Sequence, residues 1–441
     1  VISRVIGYTV HVGYRVTNTF SFMRGNVLVL SVSGALGMFA RSMVFPYVPL
    51  YIMSLGGQPE EIGIVYALGP LGGLLVFPVA GYLADHVGRA KLIAFARFAT
   101  GGIVIINVFA ESWEWIAFAR LLQGFIVFHF PAMSAIIADS LSPEHRGRGM
   151  ATMNTVSGSV AIFAPYVAGL LLDHYGIDLG MRILYSAMAI AYLASGTIER
   201  MFIRETRDLE NEHISLANAS GILKDAYSGV LGLLRRFSVP MRALSVILIL
   251  GFVMNGIASP FWVVYAQSHL GLSSSEWGLV LLIESVARSL SGIPAGFIVD
   301  RFGRTRFIVA ALVMGAVLIT AFGFAKGFLA VVMIRCAISM TGSFFSPASG
   351  ALLADLVPRD IRGRVMSAIG RGAARLAPAS GGTGGPGMGF LVTIPLILAS
   401  YAGGVIFAWG PGLPWLIVPG VMVISLGVAV FFLQDPKEAE I

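Results

Sequence analysis

Two stretches decide the reading: GYLADHVGRAKLI, from Gly81 to Ile93, and GFIVDRFGRTRFI, from Gly296 to Ile308. They share glycine, aspartate, glycine and basic residues at matching positions, 215 residues apart. Working outward, Glu61 and Arg120 find counterparts in Glu276 and Arg335 at the same offset. ADSLSPEHRGR (Ala138 to Arg148) matches ADLVPRDIRGR (Ala354 to Arg364), and FPYVPLY (Phe45 to Tyr51) matches SPFWVVY (Ser259 to Tyr265). A near-constant offset over this distance implies duplication and two halves related by an axis along the membrane normal.

Lipid must be the solvent of these halves. The 441 residues are 56% hydrophobic and 12% charged, with mean hydropathy +0.83. A water-soluble domain carries roughly 25% charged residues. A span needs about 20 apolar residues, and such runs fall near 27–54, 60–84, 90–110, 115–139, 149–173, 181–201, 241–268, 274–300, 306–325, 328–355, 388–409 and 414–434. The expected fold class is an all-α integral membrane protein of twelve transmembrane helices in two six-helix bundles related by pseudo-twofold symmetry.

The expected organisation is an N-terminal arm (1–26), a first half (27–201), a linker (202–240) with an amphipathic helix, a second half (241–434) and a tail (435–441). APYVAG at Ala164 matches ASYAGG at Ala399, a longer offset. An insertion therefore precedes helix 11, its core at about 370–388 (GRGAARLAPASGGTGGPG, Gly370 to Gly387). Of the 30 lysines and arginines, 23 fall on one side of the spans and Arg182 and Lys326 on the other. The positive-inside rule puts the basic side, and both termini, in the cytoplasm of a cell-membrane protein.

The net charge of +7 reflects this asymmetry and not a nucleic-acid partner. One cysteine, Cys336, excludes an internal disulfide framework and a cysteine metal cluster. No phosphate loop, nucleophile elbow or metal-ligand cluster is legible, so no cofactor, metal, catalytic residue or enzymatic activity is expected.

The paired motifs resemble the major facilitator superfamily. Its helix 2–3 motif is carried by Gly81, Leu83, Asp85, Gly88, Arg89 and Lys91, and again by Gly296, Asp300, Arg301, Gly303, Arg304 and Arg306. Helix 4 carries a second motif through Arg120, Gln123 and Gly124, which the family associates with proton coupling. APYVAG is a degenerate form of the helix 5 motif of proton-driven exporters. The resemblance implies a gate at each half, Asp85–Arg89–Asp139–Arg146 and Asp300–Arg304–Asp355–Arg362. There Asp85 faces the N-terminus of helix 11 and Asp300 that of helix 5, where a helix dipole favours a carboxylate. It also implies a central cavity lined by helices 1, 4, 7 and 10.

Charges inside spans are functional candidates by default. Arg41 lies five residues before Pro46, and Asn255 five before Pro260, so the two are expected to face each other at a substrate site. Phe39, Phe45, Tyr47, Phe261, Trp262 and Tyr265 are the expected aromatic lining. Glu284 and Arg288, one helical turn apart, are expected to pair; their counterparts near Gly69 and Gly73 are uncharged. Glu284, Arg288, His129 and Arg120 are the proton-coupling candidates. Arg97, on an outer helix, reads as structural or snorkelling.

Three functions fit. The leading one is a secondary transporter working by alternating access, exporting amphipathic small molecules against protons and acting as a monomer. The alternative is a transporter of organic anions (carboxylates, phosphate esters or acidic lipids) using Arg41 and Arg288. The third is a non-transporting membrane sensor.

Overall fold

A computed structural model describes residues 23–86, 88–144, 146–206, 237–358, 361, 365, 368–370 and 389–435, without the side chains of 77–79, 81–86 and 390. Residues 1–22 of the expected arm, 436–441 of the tail, the amphipathic part of the linker, 371–388 of the insertion and Arg362 lie outside the described residues.

The described residues hold twelve long helices: α1 (Asn26–Ser54), α2 (Pro59–His86), α3 (Arg89–Val108), α4 (Trp113–Ser140), α5 (Arg146–Tyr175), α6 (Ile177–Phe202), α7 (Val239–Ser268), α8 (Ser274–Phe302), α9 (Arg304–Gly323), α10 (Gly327–Leu356), α11 (Phe390–Trp409) and α12 (Pro414–Phe432). Eleven have the length and hydropathy of a membrane span, and α2, with 28 residues, is the twelfth. Large apolar side chains such as Phe95, Ile190, Leu290, Phe297, Trp409 and Phe431 are exposed on the surface. Only lipid tails solvate such a surface without a cost.

The turns α2–α3 and α8–α9 are built alike. Gly88 (φ 91°) and Gly303 (φ 94°) start α3 and α9 in a backbone region that disfavours a side chain. A carboxylate then meets each new helix. Glu205, beyond α6, accepts from the Ala90 backbone N–H at 2.9 Å, and Asp435, beyond α12, accepts from the Thr305 N–H at 3.0 Å. The paired Glu61 and Glu276 are N-terminal caps, accepting from the Gln58 and Ser273 backbone N–H groups at 2.7 and 2.8 Å.

Several helices break at mid-span. A 3₁₀ turn, Phe45–Tyr47, interrupts α1 at Pro46, and another, Ile126–Phe128, interrupts α4 before Pro131. Proline lacks the N–H that would continue the ladder. Freed backbone groups inside a membrane are tolerated where they are buried in protein or line a cavity, and both breaks adjoin the site described next.

Two seams join the halves, α5 with α8 and α2 with α11. At the first, only glycine fits: a Cβ on Gly169 would lie 2.3 Å from Ser274 O, and one on Gly278 2.5 Å from Pro165 O. Gly63 and Gly404 allow the same approach between α2 and α11. These contacts cluster at the end of the bundle holding the Gly56 and Gly271 turns, here the distal end. The other, arginine-rich end holds Gly88 and Gly303.

Candidate functional site

A cavity of about 200 Å³ opens inside the first half, walled by α1, α2, α3, α4 and α6. Glycines make the room. Gly69 and Gly73 of α2 present no side chain to it, and a Cβ at Gly69 would meet nothing nearer than Arg120 O at 3.9 Å. Gly72 and Gly124 let α2 and α4 touch backbone to backbone beside it.

Three arginines, Arg41, Arg97 and Arg120, line this cavity with His129, and no carboxylate is among its lining residues. The guanidinium carbons of Arg41 and Arg120 each lie 4.4 Å from the centre of the Phe45 ring. Arg120 also lies 5.3 Å from the Tyr66 ring. Inserting an arginine at mid-membrane costs about 2.5–3.5 kcal/mol by translocon measures. A cation–π contact returns about 0.5–2 kcal/mol. Arg120 also has the Tyr66 hydroxyl as a hydrogen-bond partner, but neither a ring face nor a neutral hydroxyl supplies a counter-charge to Arg41 or Arg120.

His129 Nδ1 donates to Ile126 O at 2.7 Å, within the α4 break. In the neutral ring this leaves Nε2 as the acceptor.

Arg97 corrects the snorkelling expectation. It lines the cavity, and its Nε donates to Glu199 Oε1 at 3.1 Å and Oε2 at 3.3 Å. Glu199, whose side chain is 0% exposed, also accepts from Ser33 Oγ at 2.7 Å. The sequence reading missed Glu199 because it sits one turn from the end of α6, beside the exposed Arg200. An uncompensated glutamate inside the run from Met181 was the available signal.

The second half is built differently at equivalent positions. Glu284 does not pair with Arg288. It accepts from Arg335 Nη2 at 2.7 Å and Nε at 3.1 Å, with Arg335 fully buried. The reason is facing: Glu284 points into the bundle toward α10, whereas Arg288 is exposed and, among the described residues, its side chain reaches Ser285 Oγ, at 3.3 Å. The Arg335 guanidinium carbon sits 4.2 Å from the Trp262 ring centre.

The expected aromatic lining divides accordingly. Phe45 lines the cavity and Phe39 packs beside the core. Tyr47 is instead a seam residue, its hydroxyl within hydrogen-bond distance of Pro165 O (2.7 Å) and Ser274 O (3.0 Å). Phe261 stacks on Phe407 at 4.6 Å, Trp262 packs against Phe322 and Trp415, and the Tyr265 hydroxyl donates to Gly323 O at 2.8 Å. These three fill the second half. Asn255 does not face Arg41 across the cavity; no residue of α7 or α10 lines it, and among the described residues the buried Asn255 Oδ1 has no hydrogen-bond partner.

At the arginine-rich end, Arg89 pairs with Asp139 at 2.5 Å and Arg304 pairs with Asp355. Each pair ties α3 to α4, or α9 to α10, within its own half. Arg146 donates to Ala138 O at 3.0 Å. Gly81 and Asp85 lie on the last turns of α2. Asp300 is exposed, Gly296 has open space where a Cβ would be, and α8 packs on the distal segment of α5, Ala164–Tyr175. The expected docking of Asp300 on the first turn of α5 is therefore not made in this conformation. The distal end, by contrast, is latched. Asp173 of α5 accepts from the backbone N–H groups of Ser274 and Ser275, both at 2.9 Å.

A family profile of the Major Facilitator Superfamily matches residues 30–259 and 244–440. This chain belongs to that superfamily of transporters, and the expected fold is confirmed. Among curated proteins it is 25% identical over 342 residues to multidrug resistance protein MdtG of Salmonella arizonae, covering 74% of this chain and 80% of that one. Among solved structures it superposes on the nucleoside transporter NupG (TM-score 0.62, 14% identity, 92% of this chain and 98% of that one). It also superposes on the inward-open xylose transporter XylE of E. coli (TM-score 0.64, 15% identity, 93% and 96%). The chain is thus a multi-pass membrane transporter and not an enzyme, and the sensor alternative falls.

Proposed function

We propose that this protein is an alternating-access exporter of small amphipathic organic anions, bound in the first-half cavity by Arg41 and Arg120 on either hand of an aromatic ring site at Phe45. The observation that carries this reading is the pair of guanidiniums at Phe45 in a cavity lined by no carboxylate. An anionic ligand supplies the missing counter-charge, and charge-assisted hydrogen bonds to a guanidinium are about twice as strong as neutral ones. Phe45, Tyr66, Tyr192, Met133 and Met188 supply an apolar wall for a ring. The volume lies below the roughly 300–1,000 Å³ of drug-sized pockets, which favours a compact ligand.

Export is supported by the likeness to MdtG, named for multidrug resistance, and by the partial helix 5 motif. Cationic drugs fit this cavity poorly, since Arg41 and Arg120 face it without a carboxylate. Arg288, exposed outside the cavity, has no part in binding. The positive-inside rule assigns the arginine-rich end to the cytoplasm. With the distal seam latched, this conformation is then the one that loads substrate from the cytoplasm.

Three isosteric probes test the charge preference: 1-naphthoate, 1-naphthylmethanol and 1-naphthylmethylammonium, titrated against the full chain in nanodiscs. The expected order is carboxylate, then alcohol, then ammonium. A tighter ammonium contradicts the reading.

A further inference from the structure

Arg97 belongs to two neighbourhoods at once. Its Nε is committed to Glu199. Its Nη1 end passes over Gly37 of α1, where a Cβ would sit 3.4 Å away, one turn from Arg41, and the residue lines the cavity. The guanidinium therefore lies between a sealed carboxylate on one side and the proposed anion site on the other. Among the described residues Glu199 has one other side-chain donor, Ser33 Oγ at 2.7 Å. A hydroxyl donates to a carboxylate, and it equally accepts from a carboxylic acid, so this partner accommodates both protonation states.

Among the described residues Glu199 meets no other cation. From α3 it meets Arg97, and from α1 the Ser33 hydroxyl. On its own helix Tyr192 lies under the Arg97 guanidinium, 5.8 Å from ring centre to carbon, and Arg200 is exposed. The remaining elements on α6 are the distal segments of α1 and α5. Their titratable groups are Tyr51, Tyr166, Asp173, His174 and Tyr175; Tyr51 is packed on Tyr185, near the start of α6.

We infer that Glu199 is the proton-accepting group of the first half, linked to the transported anion through Arg97. This rests on the anion reading above. When an anion enters, Arg97 divides its charge between two carboxylates, and the buried Glu199 loses the compensation that kept it ionised. A proton from water then adds to a Glu199 carboxylate oxygen; no other bond breaks and Arg97 stays cationic. When the anion leaves, Arg97 returns to Glu199 and the proton is released to water. Anion and proton therefore enter and leave the first half together, so export carries one proton outward with each anion and is driven by the anion's own outward gradient.

The sign follows from linkage. In the pH range where Glu199 is ionised without the anion and protonated with it, one proton is taken up per anion. In that window affinity falls about tenfold for each unit rise in pH. Below that range Glu199 is protonated throughout and the dependence vanishes.

The test uses the full chain in nanodiscs with 1-naphthoate as the probe. Proton uptake is followed with a pH indicator in weak buffer, alongside Kd as a function of pH. Wild type is expected to take up close to one proton per anion bound, and Glu199→Gln to take up none, with its Kd flat across the same pH range. Infrared difference spectra of wild type give a readout that needs no variant: 1-naphthoate should produce the carbonyl stretch of a newly protonated carboxylic acid. Binding without proton uptake, uptake that persists in Glu199→Gln, or no new acid band overturns the inference and leaves the anion reading standing. No binding of 1-naphthoate at any pH overturns both.

Discussion

Arg335 and Glu284 form a closed, buried pair at 2.7 Å, whereas Arg120, the repeat-mate of Arg335, faces Gly69 where Glu284 would be. Duplication placed the same arginine in both halves. One half neutralised it and covered it with Trp262; the other left it at the wall of a cavity. On the proposed reading, the asymmetry separates a structural half from a binding half.

The pair in the second half should behave as structure. Glu284→Gln leaves a buried guanidinium without its carboxylate, a change worth about 3–5 kcal/mol. Thermal unfolding in detergent should show a large drop in Tm. Removing both charges, as Glu284→Gln with Arg335→Met, should recover much of it.

Gly69→Glu transplants the second-half arrangement into the first. The new carboxylate has room to reach Arg120. Anion binding should be lost while the protein stays folded, and 1-naphthylmethylammonium should gain affinity relative to 1-naphthoate. Unchanged 1-naphthoate affinity would place the ligand elsewhere.

Arg41→Gln removes one of the two guanidiniums at Phe45. A hydrogen bond to a charged group contributes about 1.5–3 kcal/mol, so Kd for 1-naphthoate should rise roughly ten- to hundredfold. The uncharged 1-naphthylmethanol should change far less, which distinguishes lost charge recognition from lost packing.

The distal latch should set the conformational balance. Asp173→Asn keeps one acceptor for Ser274 and Ser275 and sets an amide N–H₂ against the other N–H. The seam should loosen and the population shift toward opening at that end. Spin labels at His174→Cys and Ser268→Cys, in a Cys336→Ala background, should show a longer distance component. An unchanged distribution would remove Asp173 from the latch.

The fold was legible because its determinants are coarse. Span length, Lys and Arg placement and the repeated glycine turns are local features of the chain, and Gly88 and Gly303 sit where the repeat puts them. The candidate site was legible residue by residue but not in its pairings. Arg41, Phe45, Arg120 and His129 converge on one cavity. Yet helical spacing favoured Arg288 as the partner of Glu284, while Arg335 lies on a different helix. Tyr47, Phe261, Trp262 and Tyr265 show the same limit. Their aromatic character was visible, but whether they face a cavity, a seam or a core depends on neighbours far along the chain. Arg97 and Glu199 were obscured because each sits in an otherwise ordinary helix, and only packing α3 on α6 joins them.

The most direct test of the central claim is transport in proteoliposomes under an imposed pH gradient, comparing 1-naphthoate with 1-naphthylmethylammonium. Gradient-dependent movement of 1-naphthoate that is lost in both Arg41→Gln and Arg120→Gln is the predicted result. Movement of the ammonium compound that survives both substitutions, with 1-naphthoate not carried, would contradict it.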